Sequence, residues 1–216
     1  AGLSALMENF AKDHPGTYGV SMIELDGKKR RAEYNGDKQF VTASTYKLLV
    51  AYSLLKRIDS GARSWDSDQA CFNKMISLSD NACAESFLNA IGVSTLTSEA
   101  NAIGLKNSTF MKSGGPYTTA NDQALLLGMI ATGQNFSSAN QQRLLEAMKK
   151  NVFRKGIPAG VSGTVADKVG FMNGLLHDSA IIYGSHGTYV LSIMTDGASW
   201  EAIADLAKQL DALQAQ

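Results

Sequence analysis

The sequence predicts an α/β protein of the α+β type, in which both ends of the chain build one antiparallel sheet and a helical segment is inserted between them. Five strand-like runs lie outside residues 41–149, two before this segment and three after it. Residues 44–150 show helical periodicity and capping signals but no convincing strand. We therefore expect a discontinuous α/β lobe of residues 1–40 and 150–216, and an all-helical lobe of residues 41–149, joined in one compact unit.

The elements of the α/β lobe follow from the spacing of apolar residues. A first helix is predicted by an apolar stripe that ends at residues 14–16, and a last helix by an apolar face that begins after the N-cap candidate Ser199. The predicted strands are residues 18–25, 30–34, 164–170, 180–183 and 189–195. Asp26-Gly27 is a hairpin signal between the first two strands. The terminal helices should flank the resulting sheet.

The helical lobe is predicted to contain a helix that is buried on all sides. Residues 44–58 are apolar nearly all round rather than along one stripe, which is typical of a helix inside a core. Further helix starts are predicted at Thr119 and Ser138, and helix ends at Gly104 and Gly133.

Composition and charge favour a small, roughly neutral substrate. Twenty basic residues balance twenty acidic ones, so neither nucleic acid nor an anionic membrane surface is indicated as a partner. No apolar stretch approaches the roughly 18 uncharged residues that span a bilayer, and the first residues lack the basic-then-apolar pattern of a signal peptide. We expect no membrane span, and if the protein is exported, its signal has been removed.

Two cysteines and three histidines limit the redox and metal chemistry. Cys71 and Cys83 would be separated by about 18 Å along one continuous helix, so a disulfide between them requires a bend. The alternative is a pair of small buried thiols. His14, His177 and His186 are predicted on surface segments without metal-ligand spacing, so we expect metal-free chemistry and no cofactor.

Ser44 and Lys47 are the candidate catalytic pair. They lie three residues apart at the predicted start of a helix, and such residues share a helix face. A desolvated lysine is neutral enough to take the proton of a serine hydroxyl, and the free N–H groups of a first helical turn can stabilise an oxyanion. Ser44 is therefore a candidate acyl acceptor. The alternative is that Ser44 is an N-cap and Lys47 a solvated residue of the first turn.

Two further motifs accompany this pair. Ser79-Asp80-Asn81 lies where one predicted helix ends and another begins, and Lys168-Val169-Gly170 lies at the end of a predicted strand. Ser-x-x-Lys, Ser-Asp-Asn and Lys-Thr-Gly, in that order, are the three motifs of class A β-lactamases and penicillin-binding proteins. The chain resembles this superfamily of penicillin-recognising serine enzymes over nearly its whole length, and its class A β-lactamase branch most closely. The resemblance implies a β-lactamase-like fold.

The resemblance also implies a role for each catalytic residue. Ser44 would attack an acyl carbonyl, Lys47 would help to take its proton, and Ser79 would relay a proton to the departing nitrogen. Backbone N–H groups of Ser44 and Phe171 would form the oxyanion hole. The implied chemistry is acyl transfer through a covalent acyl-enzyme.

A substrate-binding set is implied in the same way. Asn81 would hold an amide of the substrate and help to position the catalytic lysine. Lys168 would supply positive charge for a substrate carboxylate and for the relay serine, and Gly170 would let the strand lie close to the substrate. Val169 replaces the threonine of the family and cannot donate a hydrogen bond to that carboxylate, so its recognition is weakened or moved elsewhere. The alternatives are that Asn81 is an N-cap and Lys168 a surface charge.

A second departure concerns the base that activates water. Class A β-lactamases carry a loop with a Glu-x-x-Leu-Asn element, and its glutamate activates the water that hydrolyses the acyl-enzyme. The corresponding residues 105–117 contain no carboxylate, and neither Asp nor Glu lies between Glu99 and Asp122. We therefore expect acylation through Lys47 and slow deacylation.

Three functions follow as hypotheses. The first is a serine acyl-enzyme hydrolase or transferase that is acylated at Ser44 by β-lactams or D-alanyl-D-alanine-type peptides and deacylates slowly. The second is an efficient class A β-lactamase with a non-standard deacylating base, and the third is a non-catalytic cell-wall binding module. The resemblance implies a β-lactam or cell-wall peptide as the small-molecule partner. We expect a monomer that is secreted or periplasmic.

Overall fold

A computed structural model describes residues 2–216 of the protein. Its helices are α1 (Gly2–Asp13), α2 (Lys47–Asp59), α3 (Trp65–Ser77), α4 (Asn81–Ile91), α5 (Val93–Ala102), α6 (Ala120–Thr132), α7 (Ser138–Lys149), α8 (Ile157–Gly160) and α9 (Trp200–Gln214). Its strands are β1 (Thr17–Glu24), β2 (Arg31–Tyr34), β3 (Phe40–Val41), β4 (Tyr117–Thr118), β5 (Thr164–Met172), β6 (Leu175–Gly184) and β7 (Gly187–Asp196). A 3-10 turn, Ala43–Tyr46, leads directly into α2. Among these residues no helix is both long and apolar enough to cross a membrane.

Five strands form one antiparallel sheet in the order β2-β1-β7-β6-β5. β1 and β2 come from the beginning of the chain and β5 to β7 from its end, and β1 pairs with β7 where the two parts meet. This arrangement confirms the predicted α+β fold with a sheet built from both ends. β5 is an edge strand, so its outer side is free to line a cleft.

The sheet packs on helices at both faces. One face contacts α1 and α9 through a core cluster that includes Leu3 and Leu206. The other face contributes Ala166, Ile181 and Val190 to the core cluster of the helical segment. Because sheet residues complete that second cluster, the helical segment and the sheet share a continuous apolar core.

The C-terminal strands extend beyond their predicted bounds. β6 begins at Leu175, well before the predicted start at residue 180, and pairs with β5 across a tight hairpin. Asn173 and Gly174 in this turn have φ angles of +49° and +91°, the left-handed conformation of a two-residue hairpin. The prediction was too short because the polar residues His177 and Asp178 interrupt the apolar run, although both are fully buried.

The prediction of no strand within residues 44–150 is wrong at one place. β4 pairs with β3 in a separate two-stranded sheet, with Tyr117 opposite Val41 and Thr118 opposite Phe40. Two residues are too few to show an alternating pattern, so the sequence carries no signal for this strand.

Helix caps follow the predictions closely. The side chains of Thr119 and Ser199 each accept a hydrogen bond from a first-turn N–H group, as expected. The cap of α7 is Ser137 rather than Ser138. Gly133 ends α6 in the left-handed conformation, with a φ of +84°.

His177 lies in the core and not on a surface segment as predicted. The N–H of Thr195 donates to its Nδ1 at 3.1 Å, so its Nε2 carries the hydrogen and donates to the carbonyl of Val41 at 2.8 Å. Burial lowers the pKa of His177 to about 4, and the ring is therefore neutral at pH 7. This hydrogen bond ties β3, which leads into the Ser44 turn, to the large sheet.

Cys71 and Cys83 form a disulfide, with their Cα atoms 5.1 Å apart. Cys71 lies on α3 and Cys83 on α4, and the break between these helices supplies the bend that pairing requires. The alternative of two free buried thiols is therefore wrong. The bond braces the helices on either side of Ser79-Asp80-Asn81.

Candidate active site

Ser44 lies in the 3-10 turn before α2 and is not a helix cap. The hydroxyl of Thr42, at the start of this turn, donates to the carbonyl of Ala43 at 2.8 Å. Ala43 has a φ of +46°, a left-handed conformation that costs a non-glycine residue about 1–2 kcal/mol. The turn places the partly exposed Ser44 in the wall of a cavity of about 340 Å³. Its side chain is therefore accessible to a small molecule.

Lys47 is fully buried rather than solvated. Its Nζ donates to the carbonyl of Ser79 at 2.7 Å and to Oδ1 of Asn81 at 2.7 Å, and lies 3.3 Å from Oγ of Ser79. Burial lowers the pKa of Lys47 to about 8, against the opposing charges of Asp80 and Glu85. An appreciable neutral fraction therefore exists near pH 7, and a neutral amine can accept a proton.

Ser79 bridges two buried amines. Its Oγ lies 2.8 Å from Nζ of Lys168 and 3.3 Å from Nζ of Lys47. Burial and the nearby charge of Lys47 lower the pKa of Lys168 to about 7. Ser79 has a φ of +60° and is the second non-glycine residue of the site in a left-handed conformation. Because a hydroxyl can accept one proton while donating another, Ser79 is placed to act as a relay.

The alternatives for Asn81 and Lys168 are wrong. Asp80 caps α4, since its Oδ1 accepts from the N–H of Cys83 at 2.9 Å, and this leaves Asn81 to bond Lys47. Lys168 is fully buried, and its Nζ also donates to the carbonyl of Val169 at 2.8 Å. The amine of Lys168 therefore bonds the hydroxyl of Ser79 and the backbone, and its predicted role for a substrate carboxylate stays a prediction.

Gly170 lies where β5 meets the 3-10 turn Ala43–Tyr46, termed the nucleophile turn after the predicted role of Ser44. A Cβ at this position would lie 2.7 Å from the nitrogen of Ser44 and 2.9 Å from both the oxygen of Thr42 and the nitrogen of Thr45. β5 therefore approaches the turn closely at Gly170, and the predicted closeness of this glycine to a substrate stays a prediction. The side chain of Val169 is fully buried, and its predicted place in the substrate-binding set stays a prediction.

The cavity at Ser44 has Asn81 on its helical side and Phe171 and Met172 on its sheet side. Phe171 and Met172 are each 47% exposed. Residues 114–116 form a further wall, held by a hydrogen bond of 2.9 Å from the N–H of Thr42 to the carbonyl of Pro116. This wall belongs to residues 105–117, the segment without carboxylates.

Glu85 is a charged residue near the site that lies outside the three sequence motifs. It lies one turn after Asn81 on α4, and residues four apart share a helix face. Burial lowers the pKa of Lys47 and raises that of Tyr46, a residue of the cavity wall; the negative charge of Glu85 opposes the first shift and adds to the second. The signal available in the sequence was its spacing from Ser-Asp-Asn.

Together, an accessible serine in a strained turn and a relay hydroxyl between two buried amines define a serine hydrolase of the β-lactamase type. The sequence matches the model of the β-lactamase enzyme family over residues 2–70 and 67–214. The chain therefore belongs to the β-lactamase enzyme family. No curated protein sequence is significantly similar to it.

Solved structures share this fold along their whole length. PBP-A superposes with a TM-score of 0.91 at 21% identity, covering 99% of this chain and 96% of PBP-A. The class A β-lactamase of the last common ancestor of Gram-negative bacteria superposes with a TM-score of 0.88 at 23% identity, covering 99% of each chain. The β-lactamase from Sphaerobacter thermophilus superposes with a TM-score of 0.87 at 20% identity, and the match covers 99% of this chain and 96% of that β-lactamase. At these identities the likeness shows the fold.

Proposed function

We propose that the protein is a serine acyl-enzyme hydrolase or transferase that β-lactams or D-alanyl-D-alanine-type peptides acylate at Ser44, and that it deacylates slowly. The observation that carries this proposal is the buried amine of Lys47, with a pKa of about 8, next to the relay hydroxyl of Ser79. A variant of PBP-A with the same fold, at 21% identity and a TM-score of 0.89, has been solved as an acyl-enzyme with penicillin G. That precedent supports β-lactams as acylating agents here.

Acylation would use three side chains. Oγ of Ser44 forms a bond to the acyl carbonyl carbon while its proton passes to the neutral amine of Lys47. When the carbon–nitrogen bond breaks, Ser79 gives its proton to the departing nitrogen and is reprotonated by a neighbouring ammonium, 2.8 or 3.3 Å away. The products are an ester at Ser44 and a neutral amine on the leaving group.

Deacylation would lack a dedicated base. Hydrolysis of the ester needs a water whose proton is removed, and losing a general base typically slows such a step by about 10²- to 10⁴-fold. Residues 114–116, which form one wall of the cavity at Ser44, are two glycines and a proline, and none of them can remove a proton from water. The acyl-enzyme should therefore accumulate.

Intact-protein mass spectrometry with penicillin tests the proposal. We expect a mass increase of one penicillin per chain that persists, and no increase in the Ser44→Ala variant. A chromogenic cephalosporin should give a burst of one equivalent followed by a nearly flat trace. Absence of an adduct on folded protein would contradict the proposal and leave the cell-wall binding module.

The efficient β-lactamase is the second candidate, because Glu85 places a negative charge near Lys47. Steady cephalosporin turnover by the wild-type protein would favour it. In that case the Glu85→Gln variant should stop turnover after the burst, whereas Glu146→Gln, a substitution on α7, should not. Continued turnover by Glu85→Gln would exclude Glu85 as the base.

We also propose that the protein works outside the cytoplasm. The disulfide between Cys71 and Cys83 supports this proposal, because such bonds persist in oxidising compartments. Thiol titration of denatured protein should give two thiols per chain only after reduction. Equal titration before and after reduction would contradict it.

A further inference from the structure

We propose that the departing part of the substrate carries an aromatic ring next to its carboxylate, and that a second cavity binds this ring. The second cavity lies beside the cavity at Ser44, which is termed the cleft below. The inference deepens the proposed function and rests on it. The second cavity, of about 210 Å³, is termed the aromatic cavity. It is lined chiefly by Phe153, Phe171, Trp200, Val152, Arg154 and Lys155.

The walls of the aromatic cavity suit a planar ring. The ring of Phe171 meets those of Phe153 and Trp200 edge to face, with centroid distances of 5.4 Å and 6.2 Å. Phe171 is 47% exposed, so this cluster keeps apolar surface that a ligand can cover. An apolar cavity of about 150 Å³ is large enough to hold benzene. The aromatic cavity therefore has room for one six-membered ring.

Phe171 connects the aromatic cavity to the cleft, because it lines both. The aromatic cavity also flanks β5, because Nη1 of Arg154 lies 3.2 Å from Oδ1 of Asp167 on that strand. Lys168 bonds the relay hydroxyl that serves the departing nitrogen, whereas Asn81 stands on the opposite, helical wall. The leaving part of a D-alanyl-D-alanine-type peptide carries the carboxylate, so the cations at the rim of the aromatic cavity assign this part to it.

The charges around the aromatic cavity favour an anion beside the ring. The usual donors for a substrate carboxylate are missing, because Val169 lacks a hydroxyl and Lys168 is fully buried with its amine bonded inside the protein. Arg154 is paired with Asp167. Lys155 is exposed at the rim and can meet the carboxylate of a leaving group.

Fluorine NMR tests the aromatic cavity without any reaction at Ser44. The protein has two tryptophans, so 5-fluorotryptophan labelling gives one signal from Trp200 and one from Trp65, an internal control that packs on Phe72 in the helical segment. Titration with phenyllactate should shift the Trp200 signal saturably and leave the Trp65 signal in place, and lactate should shift neither. No saturable shift, or equal shifts of both signals, would overturn the inference.

Variants locate the ring and the carboxylate separately. Phe153→Ala should weaken phenyllactate binding roughly tenfold by removing one aromatic wall. Lys155→Gln, an exposed change that leaves the fold intact, should weaken it roughly two- to fivefold. Lys208→Gln removes an exposed lysine from α9 and should bind like the wild type. Equal binding by all three variants would contradict the assigned site.

Ester substrates connect the aromatic cavity to the reaction. Two esters with the same acyl group and either lactate or phenyllactate as leaving group should acylate Ser44 at different rates, the phenyllactate ester roughly tenfold faster. Phe153→Ala should remove this preference. Equal rates in the wild type would overturn the inference while leaving the proposed function intact. If neither ester nor any β-lactam acylates Ser44, the proposed function itself fails, even where the titration shows a bound ring.

Discussion

Lys47 can act as a base only in its neutral form, and its burial sets the pH at which that form becomes abundant. Because the pKa is lowered to about 8, the rate constant of Ser44 acylation should rise with pH from about 6 and reach half its maximum near pH 8. Stopped-flow measurement of adduct formation at several pH values checks this. A rate that is flat or falls over this range would contradict a basic role for Lys47.

Replacing Lys47 by arginine keeps the positive charge but removes the neutral form. Lys47→Arg should slow acylation by about 10²- to 10⁴-fold, because a guanidinium is not deprotonated in proteins. Circular dichroism should show that the variant remains folded. Acylation within a factor of about two of wild type would mean that another group takes the proton of Ser44.

His177 should make stability depend on pH. Its pKa is about 4 in the folded protein and 6.5 in the free side chain, so the unfolded state binds more protons between these values. The free energy of unfolding should therefore fall as pH drops from about 6.5 to about 4, by about 3 kcal/mol from this residue. Urea denaturation of wild type and His177→Gln across this range checks it. An equal loss in both proteins would contradict the prediction.

At the scale of elements, the contact of β5 with the nucleophile turn depends on Gly170. A Cβ there would meet backbone atoms of the turn at 2.7–2.9 Å, and backbone cannot rotate away as a side chain can. Gly170→Ala should displace the turn and slow acylation by roughly 100-fold. Gly184→Ala on β6 is the matched control, because its nearest neighbour is 3.4 Å away. Similar acylation rates for both variants would show that the contact is not required.

The disulfide should stabilise the pair α3 and α4 around the Ser-Asp-Asn loop. Replacing Cys71 and Cys83 by serine should lower the free energy of unfolding by roughly 3 kcal/mol, because the unfolded chain regains the freedom of a closed loop. Urea denaturation measures this loss. Reduced wild-type protein should lose a similar amount, and no loss in either protein would rule out a stabilising bond.

At the scale of the whole molecule, the shared core predicts that sheet and helices unfold together. Ile181 packs with the helical segment and Ile182 with the terminal helices. Replacing either residue by alanine should lower the free energy of unfolding by about 2–5 kcal/mol. The whole protein should still unfold in one cooperative transition, with a lower midpoint. Fluorine signals of Trp65 and Trp200 report the two regions separately during unfolding. Different midpoints for the two signals would contradict a single cooperative unit.

Local patterns made much of this architecture predictable. Capping residues such as Thr119 and Ser199 act within one helical turn, and the buried helix α2 shows its apolar residues directly. The tiny strand β4 and the first half of β6 were not predictable in this way. Their residues become strand only because a partner strand supplies hydrogen bonds, and His177 is buried because Val41 and Thr195 satisfy both of its nitrogens.

The order of residues along the chain was enough to establish the fold class, the family resemblance and the identity of Ser44, Lys47, Ser79 and Lys168 as candidates, because these depend on residue type and spacing. Only the tertiary structure decided what each of them touches. Burial of both lysines, the reason for Gly170 and the cavity next to Phe171 arise from segments far apart in sequence. Desolvation and close contact are properties of packed neighbours, and no local pattern encodes which neighbours a residue acquires.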